Sequence, residues 1–166
     1  MPRHHIMTKA KLPPEALRGP GTAFFTCRIE GSVTVFTEAA VVDHFREVLR
    51  RWLHWRQGRC DAYCFMPDHL HALLTGLGER ADLWTVMVRF KQETGAWLRR
   101  NRPDARWQRS FDARPLPPDE SVETVTRYIR NNPVRKGLVS AWQDYAFSGC
   151  IEESPWLEAR GSSHKA

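Results

Sequence analysis

The chain has no apolar run of about 18 residues, so nothing in it is expected to span a bilayer. The N-terminal stretch lacks the apolar core of a secretory signal, which points to a reducing, cytoplasmic compartment. Its four cysteines, Cys27, Cys60, Cys64 and Cys150, include one close pair and no second, so a zinc ribbon or finger is not indicated. Structural, reduced thiols are expected. There is no internal repeat. Acidic residues are outnumbered, 19 against 25 Lys and Arg, and the net charge of +6 leans toward phosphate-bearing partners. With 166 residues, 42% hydrophobic and 27% charged, the composition is that of one soluble domain with a real core.

Residues 1–22 are rich in Pro, Gly and basic groups and read as an irregular arm. Residues 23–29 have strand composition, Glu30-Gly31-Ser32 a turn, and Val33–Phe36 a short second strand. Thr37 is a candidate N-cap for a helix to about Arg56, with Val41, Val42, Phe45, Val48, Leu49 and Trp52 on its buried stripe. Cys60–Met66 and His69–Leu74 form a hairpin about Pro67-Asp68. A helix runs from about Asp82 to Arg100 and stops before Pro103. Residues 103–120 are irregular. Asp119 or Ser121 caps a last helix that ends at Asn131 or Asn132, because the residue before a proline disfavours the helical region. Beyond Trp142 the pattern indicates loop and short helix, with residues 151–166 as a tail. The mixed order of strands and helices gives one α+β domain, placed at 23–150.

Two segments carry chemistry. His69 and His71 are two apart on a strand and share a face, with Leu70 and Ala72 on the other. Paired neutral imidazoles can bind a divalent metal but do not complete a ligand set. Tyr128 and Asn132 are four apart on the last helix, beside the apolar stripe of Val122, Val125 and Ile129. A tyrosine hydroxyl can attack phosphorus, and an amide oxygen suits a hard cation. Tyrosine ordinarily titrates near pH 10, so it requires charge stabilisation at the phosphate to act as a nucleophile. The plainer alternatives are a packed His-x-His strand, a boundary tyrosine and a helix-terminal asparagine.

The motifs resemble a known family. Met66-Pro67-Asp68-His69-Leu70-His71 is similar to the His-hydrophobe-His (HUH) motif of single-tyrosine transposases. The run from Tyr128 to Val139, Tyr-Ile-Arg-Asn-Asn-Pro-Val-Arg-Lys-Gly-Leu-Val, resembles the signature of the REP-associated tyrosine transposases. Trp107-Gln108-Arg109-Ser110-Phe111 and Asp144-Tyr145-Ala146-Phe147-Ser148 resemble two further stretches of that family, and the similarity extends over about 24–148. The resemblance implies a ferredoxin-like or RRM-like central antiparallel sheet flanked by helices. It implies His69, His71 and Asn132 as ligands of Mg²⁺ or Mn²⁺, and Tyr128 as nucleophile. It also implies single-stranded or hairpin DNA as substrate, and cleavage that leaves a 5′-phosphotyrosine and a free 3′ hydroxyl. Members work as monomers or homodimers, and the bacterial setting implies association with the nucleoid.

One departure stands out. The family commonly carries an acid two places after the phenylalanine of its Trp-Gln-x-x-Phe stretch. Here that place is Ala113, and Asp112 comes one residue early. Pro117 and Pro118 replace the basic and acidic residues that usually follow. A domesticated protein that binds DNA hairpins without cutting them is the alternative reading. Candidate DNA contacts are Arg89, Lys91, Arg109, Arg130, Arg135 and Lys136 for phosphates, with Trp107 and Phe111 as stacking platforms.

Overall fold

The structure, a computed structural model, describes residues 12–152. Five strands form one sheet in the order β4-β1-β3-β2-β5, from β1 (Gly21–Arg28), β2 (Gly58–Met66), β3 (His69–Gly76), β4 (Asp112–Pro115) and β5 (Ser148–Ile151). Every pairing is antiparallel. Three helices cover it: α1 (Ala39–Trp55), α2 (Leu83–Asn101) and α3 (Val122–Arg135). The expected α+β fold with a central antiparallel sheet is thus the one observed.

The period-2 alternation of the strands divides the interior in two. Phe25, Cys27, Leu70, Ala72 and Leu74 point to one face and pack with Val42, Phe45, Leu49, Leu53, Met87 and Phe90 from α1 and α2. Ala62, Cys64, Met66 and Leu73 point to the other and meet Val125 and Ile129 of α3. A register shift between Cys60 and Ala62 lets Cys60 and Tyr63 share the α1/α2 face despite their odd spacing. Gly76 is required where the end of β3 passes close to the backbone just before β1. A Cβ there would lie 2.3 Å from the Gly19 carbonyl oxygen.

Several expected elements are revised. Val33–Phe36 is not a strand; the N–H groups of Val35 and Phe36 both donate to the Pro67 carbonyl, which ties this buried segment to the β2–β3 turn. Helix α1 starts after Glu38, not Thr37. Asp82 caps α2 through Thr85 N–H at 2.9 Å, and Ser121, the second of the two candidates, caps α3. Helix α3 does not stop before Pro133 but runs through it to Arg135. Pro133 is buried, and the turn that follows is held by Lys136 N–H on the Asn132 carbonyl. The irregular stretches conceal two short edge strands, β4 and β5. Part of the presumed arm also belongs to the domain: Pro14–Leu17 is a 3₁₀ turn with Leu17 in the core, and β1 begins at Gly21. Residues 1–11 of the arm and 153–166 of the tail lie outside the described residues. The four cysteines are free thiols, three of them buried.

Candidate active site

Strand β3 delivers His69 and His71 to the α3 face, as their spacing requires. Both are almost wholly buried, at 8% and 7% exposure, and their ring centroids lie 4.7 Å apart. Sheet register chooses their neighbours. Thr26 is the cross-strand partner of His71, and its Oγ1 lies 2.9 Å from His71 Nδ1. Arg28 is the partner of His69. In the turn, Asp68 Oδ1 accepts from His69 Nδ1 at 2.6 Å. An ionised carboxylate can only accept, so it fixes the proton on Nδ1 and leaves the His69 Nε2 lone pair free. A Thr26 hydroxyl that accepts from Nδ1 does the same for His71. Both imidazoles thus have their Nδ1 atoms occupied; His69 leaves Nε2 free, and His71 does so in the tautomer in which Thr26 accepts, the arrangement in which outer hydrogen bonds orient metal-binding histidines.

Burial also keeps both rings neutral. It is the main cause that pushes His71 down to about 3, helped by His69, Arg28 and Arg135. His69 is lowered by burial as well, and the adjacent Asp68 only partly offsets this. Neutral imidazole is the metal-binding form.

Helix α3 carries the remaining groups over the same face. Residues 128, 132 and 135 fall at i, i+4 and i+7 and so form one stripe. Tyr128 sits at the rim, 45% exposed, and Asn132 faces inward, 4% exposed. Phe24 joins the two halves of the site. Its ring stacks on His71 at 5.3 Å between centroids and meets Tyr128 edge-on at 6.2 Å. The phenol is therefore on the histidine side of the sheet, one ring away, and open to solvent. Arg135 completes the stripe: its Cζ lies 4.0 Å from the Tyr128 ring centroid, and Nη2 donates to Asn132 Oδ1 at 3.0 Å. Among the described residues, no group of three His, Cys, Asp or Glu side chains gathers to hold a metal. Asn132 Oδ1 is a neutral candidate for a third donor on this face.

The expected DNA contacts divide by position. Arg135 and Lys136 lie at the site, Lys136 close enough to act on His69. Arg109 is exposed next to Gln108, whose N–H donates to the Arg28 carbonyl at the end of β1. Arg130, two positions from Tyr128 and so about 200° round the helix, is half-buried over the Trp142 ring at 5.0 Å.

Four expected contacts fail on geometry. Trp107 is not a stacking platform: it is 9% exposed among Phe36, Phe45 and Phe90, and its Nε1 donates to Thr94 Oγ1 at 2.9 Å. Phe111 packs on Phe25 and Trp84, on the α1/α2 side. Lys91 is spent on the carbonyls of Gln108 and Ser110 beneath Phe111, and Arg89 lies over Trp52. These residues lie on the far side of the sheet from the histidines.

Sequence reasoning missed Thr26, Phe24, Asp68 and Arg28. Only Asp68 had a local signal, its place in the turn next to His69. The shift of the acid near Ala113 also gains a reading from the register. Ala113 pairs with Phe25 and faces α1 and α2, whereas Asp112 pairs with Thr26 and so falls on the histidine face.

Comparison with known proteins now decides the family. The profile of the family described as Transposase IS200 like matches residues 25–132, which contain the histidine pair, Tyr128 and Asn132. The chain belongs to the IS200-like transposase family. A Haemophilus influenzae protein named as a REP-associated tyrosine transposase is 26% identical over 140 residues, covering 77% of this chain and 78% of its own length. The structure of a REP-associated tyrosine transposase bound to a REP hairpin superposes with a TM-score of 0.71 at 20% identity, covering 86% of this chain and 82% of the other. A Deinococcus radiodurans R1 transposase structure matches at a TM-score of 0.50 and 15% identity, over 75% and 95% of the two chains. The likeness to REP-associated transposases drawn from the two motifs is borne out. Among the described residues of this transposase no helix is long and apolar enough to cross a membrane.

Proposed function

We propose that this transposase nicks and rejoins single-stranded DNA that carries a hairpin, through a covalent link to Tyr128. The observation that carries the reading is the convergence just described. Two neutral imidazoles with oriented Nε2 atoms, a buried amide and an accessible phenol share one face of the sheet, within one chain. The REP hairpin of the similar structure supports hairpin DNA as the substrate class.

In this mechanism the Tyr128 oxygen forms a bond to phosphorus, and the bond from phosphorus to the 3′ oxygen breaks. The leaving oxygen takes up a proton, the phenol gives one up, and the phosphodiester energy is kept in the tyrosyl ester. A second 3′ hydroxyl can reverse the step and join new strands without ATP. Arg28 and Lys136, both exposed and close enough to act on His69, supply positive charge to the phosphate. His69 and His71 through Nε2, with Asn132 through Oδ1, would hold Mn²⁺ or Mg²⁺; a nitrogen-rich set favours Mn²⁺. A divalent ion bound there supplies charge neutralisation at the scissile phosphate. Because all four groups come from one chain, chemistry in a monomer is expected, with a homodimer as the other arrangement.

The test is incubation of a labelled hairpin oligonucleotide with protein and Mn²⁺. A denaturation-resistant adduct is expected with the parent chain and not with Tyr128→Phe. The departure at Ala113, Pro117 and Pro118 favours the second reading, a hairpin-binding protein without chemistry. That reading predicts salt-sensitive binding and no adduct with any metal.

A further inference from the structure

Arg135 lies on this face and has no task in the chemistry above. It reaches back along α3, donating from Nη2 to Asn132 Oδ1 at 3.0 Å and from Nη1 to the Tyr128 carbonyl at 3.2 Å, while its plane covers the Tyr128 ring. A guanidinium has donors only. It therefore settles which way round the Asn132 amide lies, with oxygen toward the arginine and nitrogen away from it. The consequence is visible in the interior: Asn132 Nδ2 is buried without a hydrogen-bond partner. Such a group is unfavourable and calls for an explanation. A half-turn about the Cβ–Cγ bond would exchange the two atoms, but it would aim an N–H at the guanidinium. Arg135 forbids that turn.

We propose that Arg135 is a positioning residue that holds the Asn132 oxygen away from cation binding in the DNA-free protein and releases it when a DNA phosphate takes the guanidinium. The inference rests on the metal-assisted reading above. Three features support it. The oxygen that would ligate a cation is occupied by a fixed positive charge, and a second cation beside that charge is repelled. A phosphate offers the planar guanidinium a better, two-point acceptor than one amide oxygen. And the same movement takes the guanidinium off the Tyr128 ring, whose phenol is already exposed, so the ligand is released beside the nucleophile. DNA binding and cation binding are then coupled through one side chain, and the coupling is reciprocal.

The test uses Mn²⁺ alone, titrated into the full-length chain without DNA and followed by electron paramagnetic resonance of the free ion. Arg135 is exposed, so Arg135→Ala should fold, and circular dichroism checks this. The variant is expected to bind Mn²⁺ roughly tenfold tighter than the parent, within the range of coupling between linked sites. Adding Asn132→Ala to Arg135→Ala should remove most of that gain, leaving only the part due to relieved charge repulsion. A merely structural role for Arg135 predicts equal or weaker binding. Unchanged affinity in Arg135→Ala, or a gain that survives Asn132→Ala in full, overturns the inference. If His69→Ala leaves Mn²⁺ binding untouched in the parent and in Arg135→Ala, the metal reading fails, and this inference with it. A histidine-dependent site indifferent to Arg135 sinks this inference alone.

Discussion

Thr26→Val isolates the hydrogen bond that orients His71. Valine keeps the shape and the strand preference of threonine and puts a methyl group in place of the hydroxyl. Thr26 and His71 are both at 7% exposure, so water cannot easily replace the lost partner of Nδ1. Leaving that group buried and unpaired should cost about 1–3 kcal/mol. That is a measurable fraction of the roughly 5–15 kcal/mol expected for a domain. Urea unfolding followed by tryptophan fluorescence should show a lower midpoint at unchanged slope. The same change frees the ring to rotate and to place its proton on Nε2. Loss of an outer hydrogen bond of this kind weakens metal binding by about 10–100-fold, which a Mn²⁺ titration reads directly. A variant as stable as the parent, with Mn²⁺ affinity within a factor of two, would refute the assignment of Thr26 as the group that orients His71.

Two further predictions follow from burial. His71 is pushed down to about 3 and is neutral in the fold, while the unfolded imidazole titrates near 6.5. Between those values the unfolded chain binds the extra proton, so stability falls as pH falls from about 6.5. His71→Gln should flatten that slope between about pH 6.5 and 5 in unfolding curves; an unchanged slope would contradict the burial argument. Trp107→Ala should lower stability by about 3–5 kcal/mol. Any loss of hairpin affinity should disappear once unfolded protein is accounted for, whereas a binding defect in fully folded protein would restore Trp107 to the DNA surface.

The site's two halves were legible because each is a local pattern. A period of two puts His69 and His71 on one face, and a spacing of four aligns Tyr128 with Asn132. What surrounds them was not, because register sets it. Thr26 lies 45 residues from His71 in the chain and beside it in the sheet. Phe24 touches both His71 and Tyr128 only because β1 lies next to β3 and α3 crosses that face. Basic residues misled for the same reason. Arg89, Lys91 and Arg135 look alike in sequence, yet the sheet separates the first two from the third. Aromatic character could not distinguish Trp107, a core residue with its own hydrogen bond, from a stacking surface. The short strands β4 and β5 were hidden because edge pairing of four residues needs little of the alternation that marks β3. Pro133 ended the helix on local rules, but its burial and the bond from Lys136 N–H to the Asn132 carbonyl carry α3 one turn further.

The central claim, that Tyr128 becomes covalently joined to DNA, is most directly tested by mapping the nucleotide on the protein. Of the chain's three tyrosines, Tyr63 and Tyr145 are shielded by packing, and the Tyr145 hydroxyl is held on the Phe65 carbonyl. After reaction with a hairpin oligonucleotide and Mn²⁺, nuclease and trypsin digestion cuts at Arg127 and Arg130. Mass spectrometry should then find a nucleoside 5′-phosphate on the peptide Tyr128-Ile129-Arg130. Cleaved DNA with no protein-bound nucleotide, or a nucleotide carried by any other residue, would contradict the account.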